Sequence, residues 1–237
     1  TLLGWTVARP LSPGAVTCIY AADRLYQFPM GILAISLATA VFPLLSRHAA
    51  RGDDAGFLAA GNRAIRLSVF LGLPAGAGLA VLAGPVVGLI YRHGHFMADD
   101  ADRAAFILRM YCTGMWAYFA NHVLLRAFFA RKDVRTPLRI SIYRAGVNIA
   151  LVVVLVFTPL RAGAVGLATA LTSIANAVVL VALLRTRYGP LGLGDIARSF
   201  ARTAAAIRAM TAATWGAARL ADTWTAGVHP ATLGRGI

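Results

Sequence analysis

The sequence contains no glutamate, so nine aspartates carry all of its acidity against 23 lysines and arginines. No GxSxG, HExxH or phosphate-loop motif occurs, and no loop offers carboxylates suited to acid–base work, so an enzyme is not expected. Cysteine is nearly as scarce. Cys18 and Cys112 stand alone without a CxxC, which excludes a disulfide framework and a zinc site and leaves two helix cysteines. His93 and His95 form an HxH with no third ligand nearby, a weak metal signal, and no metal or cofactor is implied. The chain starts at Thr1 without an initiator methionine, a basic n-region or a small-residue cleavage site. It therefore shows no signal peptide and reads as an excerpt of a longer polypeptide.

Charge of either sign is thin. Only 14% of the 237 residues are charged and 59% are hydrophobic, with a mean hydropathy of +0.69, far from the balance of a soluble domain. A net charge of +14 would suggest nucleic acid in a soluble protein. Here the placement of the charge matters more, and no nucleic-acid partner is expected. Windows 25–46, 67–91, 110–125, 145–160 and 162–184 hold no ionisable acid or base except His122. A bilayer core needs about 20 residues of helix, so these windows predict membrane spans.

Between the windows the basic residues alternate. Arg47, Arg51, Arg63 and Arg66 follow the first window; 91–103 is mixed; Arg126, Arg131, Lys132, Arg135 and Arg139 come next; Arg161 stands alone; Arg185, Arg187, Arg198 and Arg202 close the series. Antiparallel spans obeying the positive-inside rule give this rhythm, which puts the three rich connections in the cytoplasm. Arg131, Lys132 and Arg135 are then orientation signals that also touch anionic membrane lipids. The expected fold is all-α: a polytopic transmembrane helix bundle with about five strong spans, at roughly 14–46, 64–91, 104–130, 137–160 and 162–185. Residues 1–13 would be the end of a preceding helix and an outer loop. A weak transmembrane or interfacial basic helix would cover 195–220, and 221–237 a loop or truncated tail.

The stretch CIYAADRLYQFPMGILAIS, residues 18–36, places Asp23 and Arg24 in the outer half of the first span. Such charges cost roughly 2.5–3.5 kcal/mol in a bilayer and normally face protein or a wet cavity. Tyr20, Arg24, Gln27 and Gly31 recur at helical spacing on one polar or small face that suits a cavity wall, and Pro29 with Gly31 predicts a kink. Asp23 points to another side and is expected to cap or bond a neighbouring helix. Gly72, Gly76, Ala80, Gly84 and Gly88 form a small-residue stripe that predicts a helix-packing seam. Thr169, Thr172, Ser173 and Asn176 read as interhelical bonding. Arg144 and Asn148, one turn apart, could line the inner half of a cavity or anchor their helix at the interface. Arg109, Asn121 and His122 carry the same ambiguity.

With the spans placed, three ordered motifs resemble the MurJ (MviN) family of the multidrug/oligosaccharidyl-lipid/polysaccharide (MOP) transporter superfamily. Tyr20-Ala-Ala-Asp23-Arg24-Leu-Tyr-Gln27-Phe-Pro29, on through Gly31, Thr39, Pro43 and Ser46, resembles its eighth transmembrane helix. Gly84-Pro85 leading to Tyr91-Arg-His-Gly-His-Phe96 is similar to its outer loop, and Arg126-Ala-Phe-Phe-Ala-Arg-Lys-Asp133 with Thr136-Pro137 to the inner loop between helices ten and eleven. The resemblance implies a MOP/MATE-like C-terminal lobe in the bacterial plasma membrane. It implies flipping of lipid II, a polyprenyl-pyrophosphate lipid, in partnership with an N-terminal lobe missing from this chain. It puts residues 196–220 at helix thirteen, in a region lining a lipid-tail groove. Arg24 maps onto a cavity arginine, whereas Gln27 stands where some members carry an acid. A flippase for another polyprenyl-linked saccharide and a non-transporting membrane scaffold remain alternatives.

Overall fold

The computed structural model describes residues 14–208, apart from 93–95, 159 and 161. The expectations for residues 1–13, His93 and His95, Arg161 and residues 209–237 lie outside the described residues. Helix α1 runs from Ala15 to Ala50. Its two α-helical parts, Ala15–Pro29 and Ile35–Ala50, are joined by a π-helical turn, Met30–Ala34. Pro29 has no N–H to donate and its ring crowds the Leu25 carbonyl, so the wider turn behind it absorbs the mismatch without ending the helix.

Helix α2 is Asp54–Val81, and Asp53 caps it by accepting from the Gly56 N–H at 2.8 Å. That N–H, and His48 Nδ1 at 2.8 Å, hold the Asp53 carboxyl below the ordinary carboxylate range. α2 stops because Pro85 cannot donate to the Val81 carbonyl, and a short α3, Ala83–Tyr91, continues after Leu82. Helix α4, Ala98–Cys112, has Asp99 and Asp100 in its first turn, where the helix dipole favours anions. α5 is Met115–Ala130, α6 Arg135–Val156 and α7 Gly163–Tyr188. A further helix, α8, covers 193–208.

By length and composition α1, α2, α6 and α7 could each cross a membrane. The expected span at 104–130 is not among them, because Thr113 and Gly114 divide it into α4 and α5. The reason is a close crossing. A Cβ on Gly114 would sit 2.5 Å from the Ala170 Cα of α7. α2 meets α5 in the same way, with a Cβ on Gly72 falling 2.7 Å from the Trp116 Cα. The small-residue seam is real there and at Gly76 but does not continue past the break: a Cβ on Gly88 would meet nothing within 4 Å.

Two apolar clusters fill the bundle. One joins Ile19, Ala22 and Tyr26 of α1 to Leu108, Met115 and Phe119. The other joins Leu45, Phe57, Leu124, Phe128, Leu180 and Leu184. α6 lies outside both for most of its length, packing on α7 and burying only Pro137 and Val152, while Ile142, Tyr143 and Val154 stand exposed. Exposed apolar residues on a helix of this kind suit contact with lipid.

The arginine-rich connections meet at one end of the bundle. The Arg131 guanidinium lies over the rings of Phe57, at 4.2 Å, and Tyr188, at 4.6 Å, and pairs with Asp54. Arg187 reaches Asp133 at 2.5 Å and Thr136 Oγ1 at 3.0 Å. Burial opposes charge on Asp133, but the Thr136 hydroxyl and N–H and Arg187 together hold its carboxyl below the usual range. The Arg131 side chain is therefore committed to the fold, which spacing alone did not show. α8 joins this end through Asn62 Nδ2, which donates to the Gly192 carbonyl at 3.1 Å. It then follows α2, setting Phe200 edge-on to Trp116 of α5 at 5.2 Å and burying Thr203.

Candidate functional site

α1 buries one side and leaves the other open. Cys18, Ile19, Ala22 and Tyr26 face the bundle. Tyr20, Arg24, Gln27 and Gly31 fall on a stripe of exposed residues that continues through Ile35, Ser36, Thr39 and Pro43 to Arg47. The stripe arises because successive exposed residues are three or four apart, which keeps them on one helical face across the π turn. It turns away from the packed core. Its walls mix polar Arg24, Gln27, Ser36 and Thr39 with apolar Phe28 and Ile32, which are 69% and 53% exposed.

Arg24 has no acidic partner among the described residues. Its guanidinium leans over the Tyr20 ring at 4.8 Å, a cation–π contact that leaves its donors available. Asp23 corrects one expectation. Among the described residues its hydrogen bond is not to a neighbouring helix but within its own, where it accepts from Gln27 Nε2 at 2.6 Å, one turn on. The bond holds both side chains on the wall beside Arg24, and leaves the Arg24 charge unneutralised.

Arg144 and Asn148 belong to a different neighbourhood. Arg144 Nη2 donates to the Tyr118 hydroxyl of α5 at 3.4 Å, with the guanidinium 5.6 Å from the ring centre. Tyr118 in turn meets Tyr26 edge-on at 5.5 Å, so an aromatic contact links Arg144 to the buried side of α1, opposite the stripe of Arg24. Asn148 Nδ2 donates to Thr172 Oγ1 of α7 at 3.1 Å. Between α6 and α7 a recess of about 310 Å³ is lined by Arg144, Tyr143, Val147 and Asn176. The structure therefore brings Tyr20, Asp23, Arg24 and Gln27 together on one wall and places Arg144 and Asn148 on another surface.

Of the polar residues expected to bond between helices, the asparagines do so, whereas the hydroxyls of Thr169, Thr172 and Ser173 donate within their own helix. Asn121 Nδ2 donates to the Ser173 carbonyl at 2.9 Å, and Asn176 Nδ2 to Asn121 Oδ1 at 2.8 Å, tying α5 to α7 inside the core. Arg109 Nε reaches the Ala80 carbonyl at 3.4 Å, beside the break between α2 and α3. Arg126, which the sequence marks as a topology signal and as part of the inner-loop motif, was not expected at a site. Half-buried, one turn before the end of α5, it lies over the Phe42 ring of α1 at 5.8 Å and shares the electrostatic neighbourhood of His122 and Arg144. The available signal was its position inside the helix, ahead of the loop proper. No group of three metal-ligating side chains occurs among the described residues.

The family model described as lipid II flippase MurJ matches residues 1–234. The chain belongs to the MurJ family. Among the family's curated members, a probable lipid II flippase of Vibrio cholerae is 35% identical over 145 residues, 61% of this chain and 28% of that protein. One from Thermotoga maritima is 34% identical over 188 residues, 79% of this chain and 38% of that protein. The chain thus spans about a third of the length of the curated relatives it matches. A solved structure, lipid II flippase MurJ in an inward closed conformation, superposes with a TM-score of 0.71 at 23% identity, covering 89% of this chain and 44% of that one. That likeness establishes the MurJ fold for the helices described above.

Proposed function

We propose that this chain forms part of a transporter that flips lipid II across the bacterial inner membrane by alternating access, working against an N-terminal lobe outside these residues. The family is one of multi-pass inner-membrane proteins, and the helices here are long and apolar enough to belong there. The observation that carries the reading is Arg24: exposed, without an acidic partner among the described residues, and just ahead of a π turn in the first long span. The stripe around it is a wall without an opposite side among the described helices. A second lobe facing that wall would enclose a cationic, wet passage.

The chemistry follows from the cargo. Lipid II carries a pyrophosphate, and a guanidinium stays charged and offers paired donors to phosphate oxygens. Moving that anion through hydrocarbon is prohibitive, so the carrier must supply a cation and water for the head group while the prenyl tail stays in lipid. Release requires that no single clamp be too tight. Arg24, resting on a neutral tyrosine with Gln27 and Asp23 beside it, can bind and let go. Arg144 and Asn148, on a different surface, would contribute only once a conformational change brings that surface to the passage.

The reading is tested by expressing the full gene in a cell depleted of its own lipid II flippase. Restored growth and normal peptidoglycan synthesis are expected. Failure to rescue, with the protein present in the membrane at normal level, would remove lipid II as the cargo; rescue of a different polyprenyl-saccharide export instead would reassign it.

A further inference from the structure

The cleft between α2 and α8 holds more positive charge than the fold neutralises. Its narrower part, about 410 Å³, is lined along α2 by Arg66, Phe70 and Pro74 and along α8 by Arg198, Arg202 and Ile207. Arg66 and Phe70 also line an adjoining trough of about 1230 Å³, to which Arg63 adds a further cation. The two acids of the lining do not balance these charges: Asp195, which lines both parts, meets Arg198 at 3.5 Å, and Asp54, which lines the trough, is occupied by Arg131. Among the described residues no carboxylate lies within ion-pair reach of Arg63, Arg66 or Arg202.

Depth makes the excess matter. The bond between Asn62 and Gly192 fixes the start of α8 beside α2. At 1.5 Å per residue, Arg66 lies about 6 Å along α2 from that point and Arg202 about 15 Å along α8. The guanidiniums therefore climb from the arginine-rich end toward the uncharged 67–91 window, where the walls turn to Phe70, Pro74 and Ile207. An arginine at that depth needs water, a protein acceptor or an anion, and the cleft offers no free protein acid among the described residues.

We propose that this cleft binds an anionic glycerophospholipid of the inner leaflet, its phosphodiester between Arg66 and Arg202 and an acyl chain against Phe70, Pro74 and Ile207. Guanidinium donors match phosphate oxygens, and the apolar upper wall matches a chain that continues into the bilayer. The uncompensated charge selects for a lipid with net negative charge. A zwitterionic headgroup would bring its own cation toward Arg63 and Arg198. The occupant is a resident of the bilayer and not the cargo, and no residue of α1 lines either part of the cleft, so the proposal does not rest on the Arg24 reading.

The test uses the full-length protein in detergent, with phosphatidylglycerol and, in parallel, phosphatidylcholine titrated in and retention read by native mass spectrometry. Phosphatidylglycerol is expected to bind at least about tenfold more tightly, and Arg66→Gln with Arg202→Gln to bring it to the phosphatidylcholine level. Arg139→Gln with Arg185→Gln, on α6 and α7 and lining neither part of the cleft, should leave it unchanged. Equal retention of the two lipids, undiminished binding in the cleft pair, or an equal loss from the control pair overturns the site. Undecaprenyl pyrophosphate is the competing arm: if it displaces phosphatidylglycerol at lower concentration with the same arginine dependence, the cleft belongs to the cargo and the phospholipid assignment falls. Should the double variant not fold, Arg202→Gln alone, at an exposed side chain, decides the matter by the same comparison.

Discussion

Arg24→Ala in the full-length protein is expected to abolish rescue of a flippase-depleted cell while the protein accumulates normally in the membrane. The two effects separate because of what Arg24 touches. Its contact within the fold is the Tyr20 ring at 4.8 Å, and an exposed cation–π pair contributes about 0.5–1 kcal/mol, too little to unfold the bundle. A charge-assisted hydrogen bond from guanidinium to pyrophosphate contributes about 1.5–3 kcal/mol, a factor of roughly 10 to 150 in affinity for the cargo. Arg24→Lys keeps the charge and loses the planar fork, so partial rescue is expected. Normal growth with both variants at normal protein level would take Arg24 out of the cargo path.

Gly114→Val should act in the opposite way, on the fold and not on the cargo. Its new Cβ would fall 2.5 Å from the Ala170 Cα and 2.7 Å from the Ala170 Cβ, and backbone at that distance cannot rotate aside. Overpacking of this kind costs about 1–3 kcal/mol even where neighbours can adjust, and here α5 and α7 would have to separate, carrying the Asn121–Ser173 and Asn176–Asn121 bonds with them. We expect a sharp drop in membrane protein level and in the thermal unfolding midpoint. Gly88→Ala, whose Cβ meets nothing within 4 Å, supplies the control and should unfold at or above the parent's midpoint. An unfolding midpoint for Gly114→Val equal to the parent's would mean the close crossing is not what divides α4 from α5.

The overall architecture was legible because the bilayer imposes a simple rule on sequence. The uncharged windows are helical, two of them interrupted, at Leu82 and at Thr113–Gly114, and the arginine-rich connections share one end, joined by Arg131, Arg187 and Asn62. Pro29 and Gly31 announced the irregularity in α1, although not that it would be a π turn. The break at Thr113 and Gly114 was hidden, since both residues occur freely within membrane helices and only the approach of Ala170, distant in sequence, makes the glycine necessary. The same blindness to distant partners affected the site. Helical spacing put Tyr20, Arg24 and Gln27 on one face, but spacing cannot say that Asp23 would bond Gln27, or that Arg131 would be enclosed by Phe57 and Tyr188. Arg144 and Asn148 share a helix face without sharing the surface of Arg24, because the crossing of α6 on α7 decides where that face points.

Cysteine accessibility tests the account at its centre, which is that the stripe through Arg24 looks into water and not into lipid. In a full-length protein with Cys18 and Cys112, both buried, replaced by alanine, single cysteines are introduced as Tyr20→Cys, Arg24→Cys, Gln27→Cys and Gly31→Cys, with Ile19→Cys and Ala22→Cys on the buried side. Intact cells and, in parallel, inside-out membrane vesicles are then treated with a charged, membrane-impermeant methanethiosulfonate, which reacts with a thiolate in contact with water. The account predicts modification at positions 20, 24, 27 and 31 from at least one side of the membrane and none at 19 and 22 from either. Positions 24 and 27 that resist the charged reagent from both sides would place the stripe out of reach of water and contradict it.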